Sequence, residues 1–190
     1  AMGYAVCQHA SAGPVATGTV GVGTGATVGK MLGHGFSSPG GIGTASQRIR
    51  GGVTVAVLVV VNAFGDIVDP ATGDVIAGAR RPDGSGWLDT SKELGKADSP
   101  DSNPVSPLQN TTLAVVATDA ALTRGQARRV AMMAHDGLAR SIKPVHTMFD
   151  GDTIFALSTG HVPADITVVG SVAADLMSNA ISNVGRASIR

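Results

Sequence analysis

The sequence predicts an α/β fold in which a β-sheet is packed between other layers. Residues 53–61, VTVAVLVVV, form a nearly unbroken β-branched run of the kind found in strands that are covered on both faces. Two amphipathic helices later in the chain supply a covering layer. A chain of 190 residues with 43% hydrophobic composition can bury one substantial core, so we expect residues 1–190 to form a single domain.

Strands and helices alternate in the last part of the chain. TLAVVAT at 112–118 and TIFALS at 153–158 are predicted as buried strands for the same reason as the first run. One helix begins at Thr123, where Thr-Arg-Gly-Gln makes a capping box, and extends toward Ile142. The other is predicted over 170–184. Its apolar residues recur every four positions: Val172, Leu176, Ala180 and Val184.

Charge and aromatic content limit the class of partner. The chain carries 14 Lys and Arg against 14 Asp and Glu, and only 3% of its residues are aromatic. A nucleic-acid groove or a basic membrane patch needs an excess of positive charge or of aromatic side chains. We therefore expect neither nucleic acid nor membrane as a partner, and instead a small molecule or further copies of the chain.

Cysteine usage and the start of the chain bear on location. Cys7 is the only cysteine, which excludes an intramolecular disulfide and fits a reducing compartment. We find neither a signal-peptide pattern nor an apolar run of about 18 residues, so we predict a cytoplasmic protein. The first residues, AMGYAVC, are apolar with no polar lead, which we interpret as a cut end.

A glycine-rich run at 20–32, VGVGTGATVGKML, ends in Gly-Lys and raises the question of a phosphate cradle. It does not fit a P-loop, because Thr24 stands at the first glycine position and Met31 stands where a metal-binding hydroxyl is needed. The dinucleotide fingerprint is matched only with Ala26 as its third residue. Nucleotide binding is therefore a minor alternative.

The segment from Arg80 to Asn110 differs from the predicted strands, since it carries four prolines among Asp, Ser and Gly. This composition is typical of an exposed linker. It ends at LQNTTL, where a buried strand begins. Such a junction fits a self-generated nucleophile: the Thr111 hydroxyl attacks the carbonyl of Asn110, and the released α-amine then serves as the base. The alternative is that Thr111 and Thr112 are ordinary strand formers.

A second polar cluster, FDGDT, precedes another predicted strand. The carboxylates of Asp150 and Asp152 can orient an amine, share a proton or bind a cation. Calcium is disfavoured, because His161 stands where an EF-hand loop needs its last carboxylate. The alternative is a tight Asp-Gly turn. The five histidines and Cys7 show no metal-ligand spacing, so we expect no metal and no other cofactor.

Lys30 and Asn62 are polar residues that interrupt apolar surroundings. A buried lysine or asparagine needs partners, because an unpaired charge or amide in an apolar site is costly. Both are therefore candidate site residues. The alternative is that each lies at a strand end in contact with water.

Four separated segments together resemble one family: GTGATVGK, VVVNAFGDIVDPATG, QNTTLAVVATDA and KPVHTMFDGDTIFALSTG. They are similar to the self-processing DmpA/NylC family, which includes L-aminopeptidase/D-amidase/esterases, β-peptidyl aminopeptidases and 6-aminohexanoate-oligomer hydrolases. The resemblance spans most of the chain. It implies an αββα sandwich that resembles N-terminal-nucleophile hydrolases in a distinct topology. Family chains are longer and continue upstream of GYAVC, so the fold expected here is partial.

The resemblance also assigns roles to residues. It implies cleavage between Asn110 and Thr111, which divides the chain into the end of an α part, 1–110, and a β part, 111–190. Thr111 matches the nucleophile, and a threonine there is closest to the nylon-hydrolase type. The remaining matches are Lys30 and Asn62 beside the nucleophile and the paired carboxylates Asp150 and Asp152.

These inferences predict a self-processing amide hydrolase. Thr111 attacks a substrate carbonyl, its own α-amine accepts the proton, and an acyl-enzyme forms. Asn62 is the expected oxyanion donor, and Lys30 is expected to keep the amine neutral. Asp150 and Asp152 are expected to orient the amine and balance the lysine.

The expected substrate is a small peptide or another linear amide. The expected protein partners are copies of the chain, as a tetramer by resemblance, and the upstream portion of its own precursor. The alternative function is that of a catalytically inactive relative that binds or assembles.

Overall fold

The computed structural model describes residues 2–96 and 110–188, which form an α/β architecture. The helices are α1 (Met2–Gln8), α2 (Thr90–Leu94), α3 (Arg124–Ser141) and α4 (Ile166–Ala187). The strands are β1 (Thr27–Val28), β2 (Ser38–Pro39), β3 (Gly41–Arg48), β4 (Thr54–Val61), β5 (Asp66–Val68), β6 (Val75–Ala77), β7 (Leu113–Ala120), β8 (Ile142–Lys143) and β9 (Thr153–Val162).

The main sheet has the strand order β3-β4-β7-β9. Strand β4 is antiparallel to both β3 and β7, whereas β7 and β9 run parallel. The three predicted strands are confirmed, since they correspond to β4, β7 and β9. The remaining strands form two smaller sheets, with the strand orders β1-β2 and β6-β5-β8. Parallel pairing of β7 and β9 is made possible by the intervening helix α3, which carries the chain back to the starting edge.

The two predicted helices are confirmed, and both cover one face of the main sheet. The capping box that starts α3 is present, because Thr123 and Gln126 each accept a hydrogen bond from the other's backbone N–H. Helix α4 starts earlier than the predicted 170–184, because the Asp165 carboxylate caps it by accepting from the Thr167 N–H at 2.7 Å.

The core lies between this helical layer and the sheet. Alternate residues of β4 point into it, and each buried aliphatic side chain stabilises the fold by about 1.5–3 kcal/mol. Gly137 lets α3 and α4 approach closely, since a Cβ there would lie 2.4 Å from the Ala174 carbonyl oxygen. Buried members of the core include Val55, Val57, Val59, Val116, Leu138, Met177 and Ile181.

The opposite face of the main sheet is open in the part of the chain that the structure describes. Leu113, Phe155 and Leu157 lie on this face and are 41%, 61% and 49% exposed. A groove of about 520 Å³ runs over the same face and is lined in part by Ala56 and Leu58. Within residues 2–96 and 110–188, the main sheet is therefore covered on its helical face only, and the predicted coverage of both faces is not seen.

The first part of the predicted linker over 80–110 belongs to the described residues. Residues 80–96 are mostly exposed, as expected, but they are ordered and contain α2. The buried Asp66 carboxylate anchors them, because it accepts from the Thr90 N–H at 2.6 Å and from the Ala79 N–H at 2.9 Å. Burial raises the pKa of Asp66. The rest of the predicted linker, 97–109, lies outside the described residues.

None of the helices in residues 2–96 and 110–188 combines the length and apolar character that crossing a bilayer requires.

Candidate active site

The strand order gathers the candidate residues at one edge of the main sheet. Because β7 and β9 are parallel neighbours, the residues just before each strand meet, and Asn110 forms an isolated parallel bridge with Asp150. Because β4 is antiparallel to β7, its end at Val61 lies beside the start of β7. Asn62 therefore joins the same cluster.

Lys30 reaches this edge through the glycine-rich run. The backbone N–H of Gly29 donates to the Gly65 carbonyl at 2.8 Å, and that of Lys30 donates to the Phe64 carbonyl at 2.9 Å. Gly29 has φ +70°, and a Cβ there would lie 1.9 Å from the Ala79 nitrogen, so only glycine fits. The end of this run therefore packs against backbone and uses these N–H groups within the fold, which argues against a phosphate cradle.

The Lys30 side chain is fully buried and is surrounded by oxygen atoms. Its Nζ donates to Asn62 Oδ1 at 2.7 Å, to Asn110 Oδ1 at 2.8 Å and to the Asn62 carbonyl at 3.3 Å. These contacts use all three donors of an ammonium group. Burial lowers the pKa of Lys30 to about 8, and the negative charge of Asp150 opposes that shift.

Asn62 links the lysine to the predicted nucleophile. Its Oδ1 accepts from the Thr27 N–H at 3.1 Å as well as from Lys30, and these two donors fix which side-chain atom is the oxygen. Its main-chain carbonyl accepts from the Thr111 N–H at 2.8 Å. Asn62 thus holds the ammonium group of Lys30 and the backbone nitrogen of Thr111 in one cluster.

The Asn110–Thr111 peptide carries the geometry that matters most for chemistry. Asn110 is fully buried, and its carbonyl oxygen accepts from the Thr111 hydroxyl at 2.6 Å and from the Gly151 N–H at 2.9 Å. Two donors on one carbonyl oxygen polarise the carbonyl toward attack. The Asn110 side chain is held on both sides, by Lys30 at Oδ1 and by the Phe149 carbonyl at Nδ2.

The two aspartates brace the backbone around this peptide. Asp150 accepts from the Phe64 N–H at 3.0 Å and from the Thr147 N–H and hydroxyl at 3.2 and 2.5 Å. Asp152 accepts from the Thr112 N–H at 2.8 Å, and its other oxygen lies 2.8 Å from His146 Nδ1. The turn in this loop lies at residues 148–149, where the Asp150 N–H donates to the Thr147 carbonyl at 3.1 Å, and not at the predicted Asp-Gly pair, whose residues lie at the candidate site.

Three contributors escaped the sequence analysis. The Gly151 N–H is a backbone donor and has no side-chain signature. His146 contacts Asp152, and its Nε2 lies 3.3 Å from Nδ1 of His135 on α3. No spacing rule connects these two histidines, although the motif HTMFDGD placed His146 near the acidic cluster. No group of three His, Cys, Asp or Glu residues within 2–96 and 110–188 is arranged to hold a metal ion.

Comparisons with known proteins identify the family. A model described as peptidase family S58 matches residues 2–190. An uncharacterized aminopeptidase of Mycobacterium tuberculosis (strain ATCC 25618 / H37Rv) is 44% identical over 204 residues, which cover 94% of this chain and 55% of that protein. A 6-aminohexanoate-oligomer endohydrolase of Paenarthrobacter ureafaciens is 28% identical over 199 residues, which cover 98% and 55%. The chain spans about half the length of the curated relatives it matches.

A solved structure supports the fold. The L-aminopeptidase D-Ala-esterase/amidase of Ochrobactrum anthropi, described as a new variant among the Ntn hydrolase fold, superposes with a TM-score of 0.62. The match is 23% identical and covers 93% of this chain and 46% of that one. The fold class and the family resemblance that the four segments predicted are therefore confirmed. The chain belongs to peptidase family S58.

Proposed function

We propose that the protein is a self-processing amide hydrolase that acts through Thr111 as an N-terminal nucleophile. The observation that carries this proposal is the pair of donors on the Asn110 carbonyl oxygen, one from the Thr111 hydroxyl at 2.6 Å and one from the Gly151 N–H at 2.9 Å. The hydroxyl thus lies beside the carbonyl that it must attack, and a backbone donor is ready for the charge that develops on the oxygen.

Self-cleavage is an acyl shift followed by hydrolysis. The Thr111 oxygen bonds to the Asn110 carbonyl carbon, the bond from that carbon to the Thr111 nitrogen breaks, and the hydroxyl proton ends on the nitrogen. Water then splits the resulting ester, which leaves a carboxylate on Asn110 and restores the Thr111 hydroxyl. The Gly151 N–H stabilises the oxyanion in both steps.

Hydrolysis of a substrate reuses the same groups. The free α-amine of Thr111 accepts the hydroxyl proton as the oxygen attacks the substrate carbonyl, and an acyl-enzyme forms. Lys30, which is mainly protonated at neutral pH given its pKa of about 8, favours the neutral amine by like-charge repulsion. The Asn62 carbonyl, 2.8 Å from the Thr111 nitrogen, orients that amine, and the Asn62 side-chain amide is the further oxyanion donor.

The proposed substrates are small peptides or other linear amides, as the names of the relatives suggest. We further propose a homo-oligomeric, cytoplasmic protein in which an upstream portion of the precursor packs on the open face of the main sheet. The exposed apolar side chains of that face, such as Phe155 and Leu157, support this assignment.

Intact-mass analysis of the full-length protein and of two variants tests the proposal. The wild type is expected to yield a fragment that begins with Thr111. Thr111→Ser keeps a hydroxyl and is expected to cut, whereas Thr111→Ala is expected to remain whole and inactive. A covalent probe for N-terminal threonine is expected to label the cut wild type. A folded wild type that is uncut, unlabelled and inactive on amides would support the binding or assembly alternative.

A further inference from the structure

A chain of polar groups leads from the predicted nucleophile to α3. The Thr112 N–H, next to Thr111, donates to one oxygen of Asp152, whose side chain is only 3% exposed. The other oxygen of Asp152 contacts His146 Nδ1 at 2.8 Å, and His146 Nε2 lies 3.3 Å from His135 Nδ1. The two imidazole rings are 5.0 Å apart between centroids. His146 is 40% exposed at its side chain, so this chain of contacts connects the site to solvent.

Hydrogen-bond chemistry fixes the tautomers of the two imidazoles. A carboxylate only accepts hydrogen bonds, so His146 Nδ1 carries a proton toward Asp152. In neutral His146 the Nε2 atom is then an acceptor, and His135 Nδ1 donates to it. If the pair takes up one proton, the contact between the rings persists. His146 then donates from both nitrogens, and His135 changes tautomer so that its Nδ1 accepts. A second proton places two donors face to face, and the contact between the rings is lost.

The backbone at His146 also indicates that its position is maintained. His146 has φ +55°, a left-handed conformation that residues other than glycine adopt uncommonly. Such a conformation persists where the surrounding contacts hold it. The adjacent Thr147 is held in turn, since its N–H and hydroxyl both donate to Asp150.

We propose that His146 is a positioning residue that holds Asp152 on the Thr112 N–H, and that His135 and His146 together make this support sensitive to pH by sharing one added proton. The proposal rests on the proposed function, because it assigns Thr111 as the group whose backbone is held in place. When the pair takes up a second proton, His146 loses its contact with His135. His146 then holds Asp152 less firmly, and Asp152 in turn holds the backbone next to the nucleophile less firmly.

The groups around the histidine pair set the direction of the pH effect. Burial and the neighbouring His146 lower the pKa of His135, whereas the charges of Asp152 and Asp136 raise it to a smaller extent. The pKa of His135 therefore lies below the ordinary range of histidine, so His135 takes up a proton only in acid. The arrangement is expected to persist at neutral pH and to be lost in acid, so the self-cleavage rate falls as the pH decreases.

The test measures the self-cleavage rate of the full-length protein against pH, by intact mass, in three variants. His146→Asn keeps the left-handed backbone, which asparagine adopts readily, but removes the imidazole. We expect it to slow self-cleavage about tenfold or more, because small misplacements of a nucleophile are costly. His135→Gln keeps a hydrogen-bonding side chain without the second charge, and is expected to shift the acid limb to lower pH. The matched control is His161→Asn, at an exposed position of β9, which is expected to keep the wild-type rate and pH profile.

A folded His146→Asn variant that retains the wild-type rate and pH profile would overturn the proposal. If the wild type neither cuts nor hydrolyses amides, the proposed function fails, and spectra of protein labelled with 15N-histidine and 15N-threonine still decide this inference. They support it if neutral His146 carries its proton on Nδ1 and the Thr112 amide signal moves upfield in His146→Asn. They contradict it if the proton is on Nε2 or the Thr112 signal is unchanged.

Discussion

The predicted nucleophile lies between two loops that differ in chemistry. On one side, Lys30 places a buried ammonium group against the side-chain oxygens of Asn62 and Asn110. On the other, Asp150 and Asp152 accept hydrogen bonds mainly from backbone N–H groups. The lysine side therefore sets the charge of the site, whereas the acidic side sets the path of the backbone. Two oppositely charged loops thus act on one peptide without forming a simple ion pair.

Removal of the charge on the lysine side is expected to have the largest effect. Lys30→Met keeps most of the side-chain volume but withdraws the donor from Asn110 Oδ1, which is buried. We expect self-cleavage and amide hydrolysis to fall by about a hundredfold or more, since a preorganised charge is lost. Intact mass and steady-state kinetics measure both effects. Lys143→Met, at an exposed lysine, is the control, and equal rates in the two variants would assign Lys30 a structural role only.

A change on the acidic side is expected to have a smaller effect on rate. Gly151 does not have a positive φ, so alanine fits its backbone, but the added Cβ would lie 2.9 Å from Thr111 Oγ1. The hydroxyl must then rotate away from the Asn110 carbonyl. We expect Gly151→Ala to fold and to cut about tenfold or more slowly. Gly125→Ala, where a Cβ meets nothing within 4 Å, is the matched control. Undiminished cutting by Gly151→Ala would argue against the observed Thr111 rotamer as the reactive one.

The two sides also differed in how far the sequence predicted them. Lys30 and Asn62 were identifiable as polar side chains in apolar surroundings, and the strand order brings them together as required. The contribution of Gly151 was not identifiable, because any residue but proline supplies a backbone N–H. The His135–His146 contact depends on how α3 packs near the acidic loop, which periodicity does not specify.

The same limits apply to the fold. The β-branched runs and the capping box at Thr123 specified strands and helix starts locally, and these predictions are confirmed. An unbroken apolar strand indicates burial but not which layer covers each face, so the open face of the main sheet was not predicted. Residues 80–96 have the composition of a linker, yet one buried carboxylate, Asp66, orders them through Thr90 and Ala79. A single buried contact of this kind leaves no mark on composition.

The burial of Lys30 is also expected to make the free energy of unfolding depend on pH. The pKa of Lys30 is about 8 in the fold against its ordinary value of 10.5, so the unfolded chain binds more protons between these values. The free energy of unfolding therefore rises with pH through this window, by an amount on the order of 3 kcal/mol. Denaturant titrations at about pH 7 and pH 11 are expected to show the wild type gaining this much relative to Lys30→Met. A difference that stays constant with pH would mean that Lys30 is not desolvated.

The smallest expected effect concerns a residue on the acidic side. Thr112 follows the nucleophile, and its N–H is held by Asp152, but its buried hydroxyl finds no hydrogen-bond partner among the described residues. A buried hydroxyl without a partner costs about 1–3 kcal/mol. Thr112→Val removes it at nearly constant shape and keeps the N–H, so we expect the free energy of unfolding to rise by about 1 kcal/mol while self-cleavage is retained. Thermal or denaturant unfolding measures the first effect. A loss of stability would mean that the hydroxyl is hydrogen-bonded in solution, and a loss of cutting would give it a role beside Thr111 that backbone support alone does not explain.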